Sequence, residues 1–173
     1  SGAFIEAEDY QRKGITNIQQ ILRKVPGVYI REEDGFGNFP NISLRGGDGT
    51  RNEKVTVMED GILTAPAAYS APAAYYSPRA GRMSGIEVLK GSSQVKFGPH
   101  TTGGVINFLS TEIPSEEIFY TRNTYGTYNT LLSHNYYGDT VRTATGTFGY
   151  LLELFHHSSG GFRDIDAGGG LSS

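Results

Sequence analysis

Apolar residues recur at helical spacing near the start of the chain. The stretch NIQQILRKV places apolar side chains at i, i+3, i+4 and i+7, which is the pattern of one face of an α-helix. We therefore predict a helix over residues 16–25. Thr16 and Gln19 have the spacing of a capping box at its start, and Pro26, which a glycine follows, is expected to end it.

Short apolar runs bounded by turn residues follow this helix and predict strands. The predicted strands cover residues 28–31, 42–45, 55–59, 62–64, 86–90 and 105–109. Asp60 and Gly61 lie between two of them, which is a type I′ hairpin signal because both central positions need positive φ. One helix with several short strands indicates a small α+β sheet domain. The long loops at 32–41 and 65–81 are of a length that is usually functional or disordered.

Beyond Pro114 the pattern changes to longer strands in which apolar and polar residues alternate. Between residues 143 and 154 the apolar side chains mainly occupy the even positions. With the two segments before it, and with turns expected near Gly126 and Gly138, this pattern predicts a three-stranded up-and-down meander. Aromatic-rich alternating segments of about ten residues are typical of a transmembrane β-barrel. So few strands do not close a barrel, so we expect a piece of a longer protein with an open edge and an apolar face.

Composition separates the two parts of the chain and limits its partners. Residues 115–173 hold six of the eleven tyrosines and neither lysine nor proline, whereas all seven prolines lie before them. The net charge of −3 disfavours nucleic-acid binding, and the absence of cysteine excludes disulfides and thiolate chemistry. No run approaches the roughly 18 apolar residues of a membrane helix. No leader is visible at the start, so the chain is either cytosolic or a mature fragment whose leader has gone.

The candidate catalytic and metal motifs are incomplete. The Gly-rich runs are GFGNFPN, which is not G-x-G-x-x-G, and GSSQVKFG, which lacks the Lys-Ser/Thr of a phosphate-binding loop. His156 and His157 are adjacent in a predicted strand and therefore point to opposite faces, which disfavours a shared ion. His100 and His134 are isolated, and the acidic pairs are explained by a loop entrance and a hairpin turn. We therefore predict neither an enzyme nor a metal site.

A compact sheet domain ahead of barrel strands is suited to fill a wide barrel, since barrels of about 22 strands have a plugged lumen. Three runs resemble, in order and spacing, the plug domain of TonB-dependent outer-membrane receptors: NIQQILRKVPGVYIRE, ISLRGGDGTRNEKVTVMEDGI and IEVLKGSSQVKFGPHTTGGVINFLSTEIP. The segments GTYNT and SSGGFRD resemble the first barrel strands of the same family. Within the family, the segment FGPHTTGGVINF and the Ala/Pro/Tyr loop after MEDGI most resemble the ferric dicitrate receptor branch.

The resemblance implies a fold and a division of the chain. Residues 1–114 are expected to form an α+β plug domain, a small mixed sheet with short helices and long loops. Residues 115–173 are expected to form about the first three antiparallel strands of an incomplete, truncated transmembrane β-barrel.

The resemblance also implies a function. It is TonB-dependent uptake of a ferric chelate, ferric citrate or another siderophore, across the bacterial outer membrane, with the plug gating the barrel lumen. The expected partners are the chelate, a TonB-type energy-coupling protein in the periplasm and the lipid around the full barrel. Iron enters only as part of the chelate, so no cofactor is expected. The alternative is a soluble α+β enzyme or adhesin domain with a β-meander extension.

Two basic residues match plug positions with a structural role in the family. Arg45 of the RG motif and Lys90 of the EV-x-[RK]-G motif are expected to meet barrel glutamates and to lock the plug in the lumen. Lysine offers a point charge where many relatives have the bidentate fork of arginine. The alternative is that both are solvated cations.

Ligand contacts are expected from the loops of the plug. Arg51, Arg79 and Arg82 are suitable cations for an anionic chelate, because guanidinium pairs bidentately with carboxylate. The expected aromatic and polar contacts are Tyr69, Tyr75, Tyr76, Phe36, Asn38 and Asn41. The alternative for each is a solvated arginine or a tyrosine packed on the barrel.

Overall fold

A computed structural model of the chain describes residues 2–32, 41–44, 55–64, 78–91, 97, 103–161 and 171–172. The chain forms two compact units, Ser1–Thr111 and Glu112–Ser173. Within the described residues no helix is long and apolar enough to cross a membrane.

The first unit is built on a mixed five-stranded sheet with two short helices. Its strands are β1 Gly2–Glu6, β2 Val28–Arg31, β3 Asn41–Leu44, β4 Val55–Glu59, β5 Ile62–Leu63, β6 Gly85–Leu89 and β7 Gly104–Leu109. The five-stranded sheet has the order β1-β6-β7-β4-β5, and β2 pairs with β3 in a separate hairpin-like pair. Only the β4–β7 pairing of this sheet is parallel, while its other pairings are antiparallel. The predicted small mixed sheet is therefore confirmed.

The helices are α1, Ala7–Gln11, and α2, Ile18–Leu22. The expected capping box of α2 is wrong: Asn17, in an extended conformation, is the capping residue, and its side chain accepts a hydrogen bond from the backbone N–H of Gln19 at 2.8 Å. The helix ends earlier than predicted, although Val25 remains buried in the core beyond its end.

The sequence pattern missed β1 and α1. The strand β1 is an edge strand that pairs antiparallel with β6, and α1 is too short to show helical periodicity. Two polar side chains anchor α1 to the segment before β6. The Tyr10 hydroxyl donates to the Met83 carbonyl at 3.1 Å, and the Gln11 amide donates to the carbonyls of Met83 and Gly81.

The β4–β5 hairpin turns as the sequence predicts. Asp60 has φ 51° and Gly61 has φ 79°, the positive values that a type I′ turn requires. The core beneath the sheet joins both helices to β3, β4, β6 and β7. Its nearly inaccessible members include Tyr10, Ile21, Leu22, Ile42, Val55, Met83, Ile86, Val88, Ile106 and Phe108.

The second unit is an antiparallel meander. It consists of β8 Ile118–Gly126, β9 Thr130–Thr143, β10 Gly146–Ser159 and a short β11 Leu171–Ser172, in the order β11-β10-β9-β8. The turn expected near Gly126 is confirmed. The turn expected near Gly138 is wrong, because β9 runs through Gly138 and ends only at Thr143.

Gly138 has a packing role in the strand. A Cβ there would lie 2.8 Å from Pro114 Cδ and from the Tyr150 carbonyl oxygen, and a Cβ on Gly149 would lie 2.8 Å from Ile113 Cγ2. The Thr140 hydroxyl also donates to the Pro114 carbonyl at 2.5 Å. The two glycines therefore form a shallow seat on which the segment leading into β8 lies.

Candidate functional site

Most of the predicted site residues lie outside the described part of the chain. These are the ligand candidates Arg51, Tyr69, Tyr75, Tyr76, Phe36 and Asn38, and the lock candidate Arg45. The described candidates are Arg79, Arg82, Asn41 and Lys90.

Arg79 immediately precedes a 3₁₀ turn, Ala80–Arg82, and Arg82 is the last residue of that turn, ahead of β6. The Arg82 guanidinium lies 2.6 Å from Glu59 Oε1, and the two side chains are 23% and 26% exposed. Glu59 is the last residue of β4 and precedes the hairpin turn. An anionic ligand at this turn would therefore meet Arg82 already paired with a carboxylate.

Asn41 begins β3 and faces Arg31 of β2 in the pairing. Its side chain is buried, with the residue only 2% exposed. Its proposed contact with a chelate stays a prediction.

Lys90 follows β6 and is engaged within the first unit. Its Nζ donates to the Pro26 carbonyl at 2.5 Å. Pro26 lies in the turn after α2, so the ammonium holds the end of the helical segment to the sheet. A contact with a barrel glutamate stays a prediction.

A polar network surrounds the β4–β5 turn and was not foreseen from the sequence. The Asp60 carboxylate accepts two hydrogen bonds from Ser110, from the backbone N–H at 2.9 Å and from the hydroxyl at 2.6 Å. The Gly61 N–H donates to Asn107 Oδ1 at 2.9 Å, and the Asn107 amide donates to Glu87 at 2.9 Å. The local sequence explained Asp60 only as a turn residue, because these partners are far away along the chain.

In the second unit the buried ionisable side chains lie on one face of the meander. His134 Nε2 is 2.8 Å from Glu153 Oε1, with the side chains 5% and 18% exposed. Tyr120 and Phe155 approach the imidazole edge-on, so His134, which the sequence shows only as an isolated histidine, is buried among aromatic side chains. His157 is buried while His156 is exposed, as strand alternation predicts.

The ion pairs among the described residues include Arg23–Glu32, Arg82–Glu59 and His134–Glu153. Over the described ranges, no group of three or more His, Asp or Glu side chains is placed to hold a metal ion. The ionisable pairs that the structure describes are single ion pairs or parts of hydrogen-bond networks that tie strands together. Their geometry is that of a rigid scaffold.

The fold and the motifs define the class of protein. The family model of the TonB-dependent receptor plug domain matches residues 3–105. The chain belongs to this family, and the α+β plug is followed by the opening antiparallel strands of the barrel.

Solved structures of whole receptors place the chain within this class. The ferric citrate transporter FecA in its unliganded form matches 91% of this chain with a TM-score of 0.70 and 25% identity. The ferric yersiniabactin uptake receptor FyuA from Yersinia pestis matches 92% with a TM-score of 0.69 and 22% identity, and the siderophore receptor PirA from Acinetobacter baumannii matches 92% with 0.58 and 18%. The predicted likeness to ferric dicitrate receptors is thus confirmed. The chain covers 25%, 24% and 24% of these three proteins.

Proposed function

We propose that this chain is the plug and the first barrel strands of an outer-membrane receptor that takes up a ferric chelate. The plug domain spans residues 1–114 and the barrel strands span 115–173 in this proposal. The family match and the likeness to FecA over both units support it. In such a receptor the plug gates the lumen, and a TonB-type protein in the periplasm supplies the energy.

The observation that carries the membrane part of the proposal is the inverted polarity of the meander. Phe148, Leu152 and Leu154 of β10 are 65%, 75% and 68% exposed, while His134 and His157 are buried. Soluble domains rarely expose a contiguous apolar patch of this kind, whereas strands of an outer-membrane barrel present an apolar band outwards. The same inversion weighs against a soluble enzyme or adhesin domain.

The proposed ligand is an anionic ferric chelate such as ferric citrate. Arg79 precedes the 3₁₀ turn that ends at Arg82, and Arg51 is the third candidate cation. The Arg82–Glu59 pair is partly exposed, and exposed ion pairs contribute only about 0–1 kcal/mol. A chelate with several carboxylates can therefore compete with Glu59 for the guanidinium, because it offers more than one bidentate contact.

Calorimetry on the full-length receptor that carries this chain tests the ligand. We expect ferric citrate to bind, and the double substitution Arg51→Ala with Arg79→Ala to weaken binding by about tenfold or more, since charge-assisted hydrogen bonds contribute roughly 1.5–3 kcal/mol each. Arg12→Ala is the matched control, because Arg12 is an exposed cation at the end of α1. Unchanged affinity in the double variant would remove the proposed cation site.

Uptake and gating are tested in cells and in bilayers. Uptake of the labelled chelate should stop when the energy-coupling protein is deleted, and persistence of uptake would contradict TonB dependence. Arg45→Ala and Lys90→Ala should raise the conductance of the reconstituted receptor, because each would remove one plug-barrel ion pair. Conductance no higher than wild type would count against the proposed lock.

A further inference from the structure

The turn between β4 and β5 carries a reactive dipeptide, Asp60–Gly61. The chain holds three Asp-Gly pairs, and the other two, Asp34–Gly35 and Asp48–Gly49, lie outside the described residues. In an Asp-Gly pair the glycine nitrogen can attack the carboxyl carbon of the aspartate, because glycine has no Cβ to obstruct a close approach of its backbone. Asp60 and Gly61 are both solvent-exposed, so water reaches the pair.

The reaction of such a pair is a cyclisation followed by hydrolysis. The Gly61 nitrogen loses its proton and bonds to Asp60 Cγ, and one carboxyl oxygen leaves as water, which gives a cyclic succinimide. Water then opens the ring at either carbonyl. Opening at Cγ restores aspartate, whereas opening at the backbone carbonyl gives isoaspartate, in which the main chain runs through the side-chain carboxyl carbon. One water is lost and one is gained, so the conversion needs no other reactant.

Three of the reacting atoms are held by residues at the end of β7. Asp60 Oδ1 accepts a hydrogen bond from the Ser110 N–H at 2.9 Å, and Oδ2 accepts one from the Ser110 hydroxyl at 2.6 Å. The Gly61 N–H donates to Asn107 Oδ1 at 2.9 Å. The Asp60 N–H also donates to the Phe108 carbonyl at 2.8 Å, so the backbone of the turn is tied to the same strand.

The two residues that hold these atoms are themselves fixed. Asn107 is only 5% exposed, and its amide donates to Glu87 at 2.9 Å. The Ser84 hydroxyl donates to the Ser110 carbonyl at 2.8 Å. The partners of the dipeptide therefore keep their positions through contacts with β6 and with the residue before it.

Cyclisation requires the hydrogen bonds of the dipeptide to break. Because Ser110 holds both carboxylate oxygens at once, Cγ cannot turn towards the Gly61 nitrogen and keep both bonds. The nitrogen must also lose the proton that it donates to Asn107. Each lost hydrogen bond adds to the barrier, and the same dipeptide in a free peptide does not meet this cost.

We propose that Asp60 is a latent isoaspartate site, which the hydrogen bonds with Ser110 and Asn107 keep in the aspartate form. While the hairpin stays bonded to the end of β7, ring closure is slow. When the two separate, Asp60 cyclises at the rate of an unstructured Asp-Gly peptide. The inference does not depend on which chelate the receptor binds.

Isoaspartate at this position would change the hairpin. It inserts the side-chain methylene of Asp60 into the main chain of the two-residue turn, whereas the pairing of β4 with β5 fixes the distance that the turn spans. Turn type and loop length set the register of a hairpin, so we expect β5 to lose its register on β4. The modification would therefore mark molecules in which the end of β7 has separated from the hairpin.

Incubation of the full-length receptor in water enriched in the heavy oxygen isotope tests this site. Each passage through the succinimide leaves one oxygen from water on residue 60, whether the ring opens to aspartate or to isoaspartate, and peptide mass spectrometry measures it. The free peptide VMEDGIL is the reference. We expect labelling in the folded receptor to be slower by about tenfold or more, which corresponds to hydrogen bonds that add about 1.4 kcal/mol to the barrier.

Two substitutions release the dipeptide, and a third is the matched control. Ser110→Ala removes the donor to Oδ2, and Asn107→Leu removes the acceptor of the Gly61 N–H. Each should raise the labelling rate about threefold to tenfold. Ser84→Ala should leave the rate near that of wild type, because Ser84 bonds to the Leu109 and Ser110 carbonyls and to none of the reacting atoms.

Three results would overturn the proposal. The first is labelling of Asp60 as fast in the folded receptor as in the peptide, and the second is an equal rate in Ser110→Ala and Ser84→Ala. The third is an equal rise at Asp34 and Asp48 in the same digest, because this would show general unfolding rather than release of the hairpin. Should Asn107→Leu fail to fold, the comparison of the two serine variants decides, since both remove a hydroxyl at the same end of the β6–β7 pair.

Discussion

Replacement of Gly104 by alanine is a sharp test of the packing of the plug sheet. Gly104 begins β7 with φ 144°, in the positive region that side chains rarely adopt. A Cβ at this position would lie 2.2 Å from Leu44 Cδ1 and 2.8 Å from the Leu89 carbonyl oxygen. The leucine tip can rotate away, but the carbonyl belongs to the β6–β7 ladder, so the second clash requires movement of the backbone.

The expected cost has two parts. Overpacking of a core typically costs about 1–3 kcal/mol, and a side chain held at an unfavourable backbone conformation costs about 1–3 kcal/mol. Gly104→Ala should therefore lower the free energy of unfolding of the plug unit by roughly 2–6 kcal/mol. Since domains are stable by only about 5–15 kcal/mol, this is a large part of the total.

Gly27 and Gly61 are matched controls for the backbone contribution. Both have positive φ, 76° and 79°, and a Cβ on either would have no atom within 4 Å. Alanine at these positions should cost only about 1–2 kcal/mol. Urea unfolding followed by circular dichroism gives the free energies, and hydrogen exchange of the β7 amides locates the loss. If Gly104→Ala costs no more than the two controls, the close contacts with Leu44 and Leu89 do not exist in solution.

Three further substitutions test other parts of the structure. Asp60→Ala removes both acceptors of Ser110, and because these hydrogen bonds are exposed it should destabilise the plug unit by about 0.5–1.5 kcal/mol in urea titrations; an unchanged free energy of unfolding would contradict the network. Asn17→Ala should lower the free energy of unfolding by about 1 kcal/mol, because the helix cap is lost, and Thr16→Ala should lower it less. A larger effect of Thr16→Ala would indicate that the predicted capping box forms instead. Gly138→Ala should disorder the segment before β8, which packs on Gly138 through Pro114. Hydrogen exchange of the backbone amides in that segment should become faster, and unaltered exchange would contradict the packing.

The sequence predicted the elements whose signals are local. The helix α2, strands β2 and β4 and the Asp60–Gly61 turn were found because apolar spacing and turn chemistry act over a few residues. The alternation of β10 likewise predicted which side chains are exposed together. For these elements, local preference and the final fold agree.

The sequence-based predictions are wrong where contacts between residues distant in the sequence determine the structure. Gly138 suggested a turn, yet the glycine serves close packing against Pro114 inside a long strand. Asn17, and not Thr16, caps α2 because Asn17 is the extended residue directly before the helix. The neighbouring residues in the sequence do not specify that conformation. The strand β1 has no pattern of its own, and it exists because β6 offers an edge to pair with.

The polar network around the hairpin explains why the second and third plug motifs go together. MEDGI contributes Asp60 and Gly61, while the third motif contributes Glu87, Asn107 and Ser110. These hydrogen bonds, which are part-buried or exposed, join the two motifs, so a change in one motif removes a partner from a donor or acceptor in the other. The two motifs therefore share one hydrogen-bond network, and we expect ligand choice to depend on residues outside it. Exchange of loop 65–81 with that of another receptor should change the chelate bound while leaving the unfolding energy of the plug nearly unaltered.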